Sequence, residues 1–171
     1  MCIRDSEDGL FERFPVDAVF GTHNWPGMAV GDIALSSGPV MASTNEFKIV
    51  IQGRGCHGAM PHMGIDPVPV ACQVVQGFQT IISRNKKPID SAVLSVTMIH
   101  AGEATNVVPD HCEIQGTVRT FRTEVLDLIE SRMREVAEHI CAAHQPAASS
   151  FLRATTRPPS TTSRPPRSHA P

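Results

Sequence analysis

Between Asn45 and Gln52 the chain reads NEFKIVIQ, and apolar Phe47, Ile49 and Ile51 alternate with Lys48, Val50 and Gln52. A period of two is what a half-buried strand needs, and glycines at 53 and 55 end it. Asp66-Pro67 then has the form of a helix N-cap followed by proline in the first turn. Val68, Ala71, Val75, Phe78 and Ile82 recur at helical spacing toward Arg84, which predicts a helix of about five turns. SAVLSVTMIH predicts a second strand with Leu94, Val96 and Met98 on one face, and HCEIQGTVRTF a third with Cys112, Ile114 and Val118. AGEATNVVPD is the turn between them. Val125, Leu128, Ile129, Met133, Val136 and Ile140 mark a second amphipathic helix, and Ser149 to Arg153 a fourth strand. The order βαββαβ predicts an α+β fold, the ferredoxin-like split βαβ arrangement with two helices on one face of an antiparallel sheet.

The flanks carry no such rhythm. MCIRDS has neither period, Ala18 to Phe20 reads as a short buried strand, and Gly27, Gly31 and Gly38-Pro39 mark a loop-rich crossing. The stretch from Ala154 onward, ATTRPPSTTSRPPRSHAP, has no aliphatic residue larger than alanine, which predicts a disordered tail.

Composition removes several classes of function. At 171 residues the chain has room for one domain and part of another. A net charge of −2 with mixed signs offers no basic face for nucleic acid, and no run of apolar residues is long enough for a membrane span. An RNA-binding domain of this topology needs aromatic stacking residues on its sheet; there is no tyrosine, and the lone Trp25 falls outside the strands. The five cysteines are odd in number and form no CxxC pair, so reduced thiols and a cytoplasmic setting are expected.

Four residues stand out chemically. His23, in GTHNWPG, follows the apolar run at 18–20; an imidazole there suits a metal ligand or catalytic base, and equally a half-buried capping residue. His57, in GRGCHGAMPHMGIDP, lies in a glycine-rich turn where small neighbours leave the ring accessible and let the backbone approach a ligand. It suits a donor to a developing oxyanion or a carboxylate, or a plain solvated loop histidine. Asn106 offers a donor and an acceptor to an amide or carboxylate, or serves its own turn. Arg119, on the face opposite Val118, suits a carboxylate or simply water. His62, beside Pro61, is expected to be structural, and Cys56 has no neighbouring base to make it a nucleophile.

Taken together, GTHNWPG, SSGPVMASTNEFKIVIQGRGCHGAMPHMGIDPV and AGEATNVVPDHCEIQGTVRTF resemble the amidohydrolase branch of the co-catalytic metallopeptidases, which includes hippurate hydrolase, N-acyl-amino-acid amidohydrolase and auxin-conjugate hydrolase. The resemblance runs from about Glu7 to about His144. It implies that residues 1–44 are a fragment of a metal-binding α/β catalytic domain, that 45–153 are a lid and homodimerisation domain, and that 154–171 lie outside it. It implies His23 as a metal ligand, His57 as the lid histidine that reaches the partner subunit's site and stabilises the oxyanion, and Asn106 and Arg119 as binders of the substrate's carboxylate end. Two divalent ions, zinc or manganese, would activate a water against the amide of an N-acyl amino acid.

The chain departs from the family pattern at both ends. The paired glutamates, the upstream ligands and a late histidine ligand have no counterpart; Glu7, Asp8 and His169 match none of them. The expectation is therefore an inactive piece that does not retain its metals, or a noncatalytic dimerisation module. Under one choice of codons, a shifted frame through Ala154–Thr162 spells NYPPTVN, which resembles the family's return from lid to catalytic domain. A reading-frame change upstream of Ala154, from about Gln145 onward, is the expectation that inspection of the nucleotides tests.

Overall fold

The computed structural model describes residues 8–17, 23–35 and 38–144 together with the backbone of 149–155. The strand expected at 18–20 and the tail from 156 onward lie outside these residues. The chain divides into two units between Ser37 and Gly38.

In the first unit the described residues form one helical turn, Leu10–Arg13, and two later turns closed by Met28 N–H to Trp25 O and Asp32 N–H to Ala29 O. None of them is buried, and Trp25, Val30, Ile33 and Leu35 stand exposed.

The second unit is built on strand β1, Asn45–Gln52. Its alternation is as the sequence predicts: Phe47, Ile49 and Ile51 are buried, and the residues between them face outward. After a short β2, Cys56–His57, helix α1 spans Pro67–Thr80, and the chain then loosens into a wider turn over Ile81–Asn85. Strand β3, Ala92–His100, is followed by a two-residue β4, Val107–Val108, and by β5, His111–Thr120. Helix α2, Thr123–Ala143, leads to β6, Ser149–Thr155. The main sheet has the order β3-β5-β1-β6 with each neighbouring pair antiparallel. That is the ferredoxin-like arrangement: the two halves each contribute a strand, a helix and a strand, and the helices cover one face. Ala154 and Thr155, assigned to the tail by composition, pair with Glu46 and Asn45 in β6.

The core lies between that face and the helices, with Phe78 fully buried edge-on to Phe47 at 6.2 Å and 81°. Asp66 caps α1, its carboxylate accepting from Val68 N–H at 2.9 Å, and Pro67 occupies the first turn. The buried stripes differ in part from the predicted ones. In α1 they are Val70, Ala71, Val74 and Phe78, with Val68 exposed; in α2 Leu126, Ala137 and Cys141 join Val125, Ile129 and Met133, and Leu128 is exposed. Both helices carry more apolar residues than one face holds, so periodicity alone leaves the rotation of the helix undetermined. In β3 a bulge between Val96 and Met98 interrupts the alternation. Val96 stands opposite core-facing Gly116, but Met98 stands opposite Gln115 on the open face and is 43% exposed.

Candidate functional site

Two loops converge at one end of the sheet. Where β1 ends, Gly53 N–H donates to Asp110 O at 2.7 Å and Gly55 N–H to Asp110 Oδ1 at 2.8 Å, which ties the chain leaving β1 to the chain entering β5. Beyond that tie β2 and β4 pair antiparallel, Cys56 opposite Val108 and His57 opposite Val107. Gly58 N–H then donates to Asn106 O at 2.7 Å, so Asn106, in the turn just before β4, lies beside the end of β2 that carries His57. The turn expected at 101–110 thus contains a strand, which two β-branched residues are too short to announce.

Glycines in this region let backbones approach each other rather than a ligand. A Cβ on Gly64 would fall 2.5 Å from both Arg54 O and Cys56 Sγ, and Arg54 and Ile65 exchange backbone hydrogen bonds at 2.9 and 2.8 Å. The resulting loop is held by main-chain contacts and leaves the imidazole outside.

His57 and Asn106 are both exposed. Ala59 N–H donates to His57 Nδ1 at 3.1 Å. A depression of about 310 Å³ at the start of α1 is lined by Gly64, Ile65, Asp66, Pro69, Val70 and His144, and holds neither of the two residues. The ribbon therefore presents its polar groups outward. His62 lies on a single turn, Pro61–Met63, and is exposed. Cys56 is half-buried beside Gly64, while Cys112 is buried in the core; burial, and then the charges of Cys72 and Asp66, push the Cys112 thiol up and away from reactivity.

Arg119 is elsewhere. It lies near the far end of β5, exposed, with its guanidinium donating to Thr44 Oγ1. From His111 to Arg119 is eight residues of strand, on the order of 27 Å at about 3.4 Å per residue. A single copy of the domain does not bring Arg119 and His57 onto one small molecule. His23 is exposed in the first unit. Among the described residues no three His, Cys, Asp or Glu side chains gather as a metal site requires. The donors among the described residues do not by themselves fit a dinuclear centre. No helix among the described residues is long and apolar enough to cross a membrane.

Asp110 is the structurally central residue that sequence reasoning passed over. The sequence marks it only as the close of a Pro-Asp turn; its side-chain partner Gly55, 55 residues away, becomes visible only in the fold.

A ferredoxin-like layer of this kind is the architecture of a peptidase dimerisation domain. Residues 43–145 match the family model described as peptidase dimerisation domain, and the chain belongs to that family. It is 47% identical over 137 residues to N-acetyl-L-cysteine deacetylase of Bacillus subtilis, covering 80% of this chain and 32% of that protein. It is 45% identical over 129 residues to an N-acyl-L-amino acid amidohydrolase of Geobacillus stearothermophilus, covering 75% and 35%. Among solved structures, a Bacillus subtilis protein described as a dinuclear metal binding peptidase from the M20 family superposes with a TM-score of 0.68 at 37% identity, covering 89% of this chain and 36% of that one. The chain spans about a third of the length of the curated relatives it matches.

Proposed function

We propose that this domain is the lid of a metal-dependent amidohydrolase acting on N-acyl amino acids, and that it pairs with a second copy of itself. His57 donates to the oxygen that becomes negative as water adds to the amide carbonyl, and Asn106 binds beside it. The observation that carries the reading is the outward presentation of His57 and Asn106 from one ribbon outside any enclosed pocket. Such groups act only when another surface closes over the substrate. The separation of Arg119 from that ribbon fits the same picture, since a substrate touching both would lie between two copies. The metal ions belong to the rest of such an enzyme, with His23 as the one ligand proposed here; when bound, they supply the activated water.

A chimaera tests this. Residues 43–155 would replace the corresponding segment of the Bacillus subtilis N-acetyl-L-cysteine deacetylase, and hydrolysis of N-acetyl and N-benzoyl amino acids would be measured. The chimaera is expected to turn over, and His57→Ala to lower kcat by about 100-fold or more, the usual effect of losing one oxyanion donor. Equal kcat in the two would sink the assignment of His57.

The match to a dimerisation domain over residues 43–145 also favours a second reading, in which this chain acts only as a noncatalytic dimerisation or binding module. Tight zinc binding by the chain alone would count against it.

A further inference from the structure

The His57 ring is exposed, yet one of its nitrogens is already engaged by Ala59 N–H at 3.1 Å. A ring nitrogen that accepts a hydrogen bond carries no proton, so the neutral imidazole holds its proton on Nε2. Ala59 reaches Nδ1 because the chain doubles back directly after β2. Met60 N–H donates to His57 O at 2.8 Å, and Gly58 N–H is drawn to Asn106 O at 2.7 Å. A Cβ on Gly58 would stand 3.1 Å from that carbonyl oxygen, so the approach is tight. The other end of the β2–β4 ribbon is held by Asp110. Its Oδ1 accepts from Gly55 N–H at 2.8 Å, and its carbonyl accepts from Gly53 N–H at 2.7 Å and from Gln52 Nε2 at 3.2 Å.

We propose that Asp110 is a positioning residue for His57, and that with the Ala59 amide it presents the imidazole as the Nε2–H tautomer, a donor of one proton to a carbonyl or carboxylate oxygen. The inference deepens the reading of His57 given above and rests on it for its catalytic meaning. It also fixes the class of group the ring takes. A metal ion needs a free lone pair, and here Nδ1 is occupied while Nε2 carries hydrogen, so the ring meets an oxygen acceptor instead. Asp110 acts at a distance of two residues from the ring by holding Gly55, and through it the strand that carries His57.

The test is the tautomer itself. Long-range proton–nitrogen correlation spectra of the full chain, labelled with nitrogen-15 histidine and recorded at a pH where the ring is neutral, distinguish the two forms. His57→Gln assigns the signal. The wild-type ring is expected as a single Nε2–H form. Asp110→Asn, whose amide oxygen still accepts from Gly55, should preserve it, and Asp110→Ala should average the two forms. Asp110→Ser is read in its place if Asp110→Ala does not fold. An Nδ1–H ring or an even mixture in the wild type overturns the proposal, as does a folded Asp110→Ala or Asp110→Ser protein with the wild-type pattern. Because these spectra need no turnover, a failed tautomer prediction leaves the chimaera assay standing, and the reverse holds as well.

Discussion

A Cβ on Gly116 would stand 2.1 Å from Ser95 O and 2.6 Å from the rim of the Phe47 ring. Both neighbours are fixed, one by β3 and the other by its edge-on contact with Phe78, so neither can give way cheaply. Gly116→Ala is therefore expected to cost about 1–3 kcal/mol, seen as a fall in denaturant midpoint with the slope unchanged. On the open face of the sheet, Lys48 donates to Glu113. That hydrogen bond first, and the one from Gln115 second, hold the Glu113 carboxyl below its ordinary value. A lowered folded-state value means that the contribution is present above the unfolded value and fades as acidification passes the folded one. Solvent screens the pair, so its share of stability is small. Lys48→Met should raise the Glu113 midpoint toward that of an ordinary glutamate in a carboxyl NMR titration; a midpoint that stays put would refute the cause given.

Elements differ in how far their sequence betrays them. β1 lies between two partners and buries one face along its whole length, so its alternation is legible residue by residue. β3 lies at an edge and carries a bulge, and the bulge sends Met98 to the face that simple alternation denies it. Helix existence was readable from caps and spacing, but the buried stripe was only half readable, because Val68, Val70, Val74 and Val75 compete for one face. The start of α1 is the clearest local signal, and it should carry measurable energy. Asp66→Ala removes the acceptor of Val68 N–H and is expected to lower stability by roughly 1 kcal/mol in thermal or chemical unfolding. A change indistinguishable from zero would mean that Pro67 alone sets the helix start.

Across the whole molecule, the site was legible as residues and not as an assembly. His57 and Asn106 announce themselves by glycine- and proline-bounded turns, whereas their proximity, the Asp110 clasp and the remoteness of Arg119 depend on contacts between segments some fifty residues apart. The exposed edge of β3 bears on the proposed dimer. It runs nine residues, with Val93, Met98 and Ile99 exposed, and an unpaired edge of that length is a template for another strand. If a second copy pairs there, Val93→Lys with Ile99→Lys should shift the protein toward monomer in sedimentation velocity. Monomer stability should fall by no more than about 1 kcal/mol, since both side chains are already about half exposed, Val93 opposite Arg119 on the open face and Ile99 at the rim of the core opposite Ile114. A dimer undisturbed by both lysines would place the contact elsewhere.

Asn45 and Thr155, the first residue of β1 and the last of β6, are register partners. Paired residues on antiparallel strands lie about 5 Å apart, so the path into this domain and the path out of it begin at one spot. A fold with that property can be set into a loop of a host protein like a bead on a thread, without prising the host's own ends apart. It can also swing as one body about that single attachment, which is the freedom the proposed lid needs.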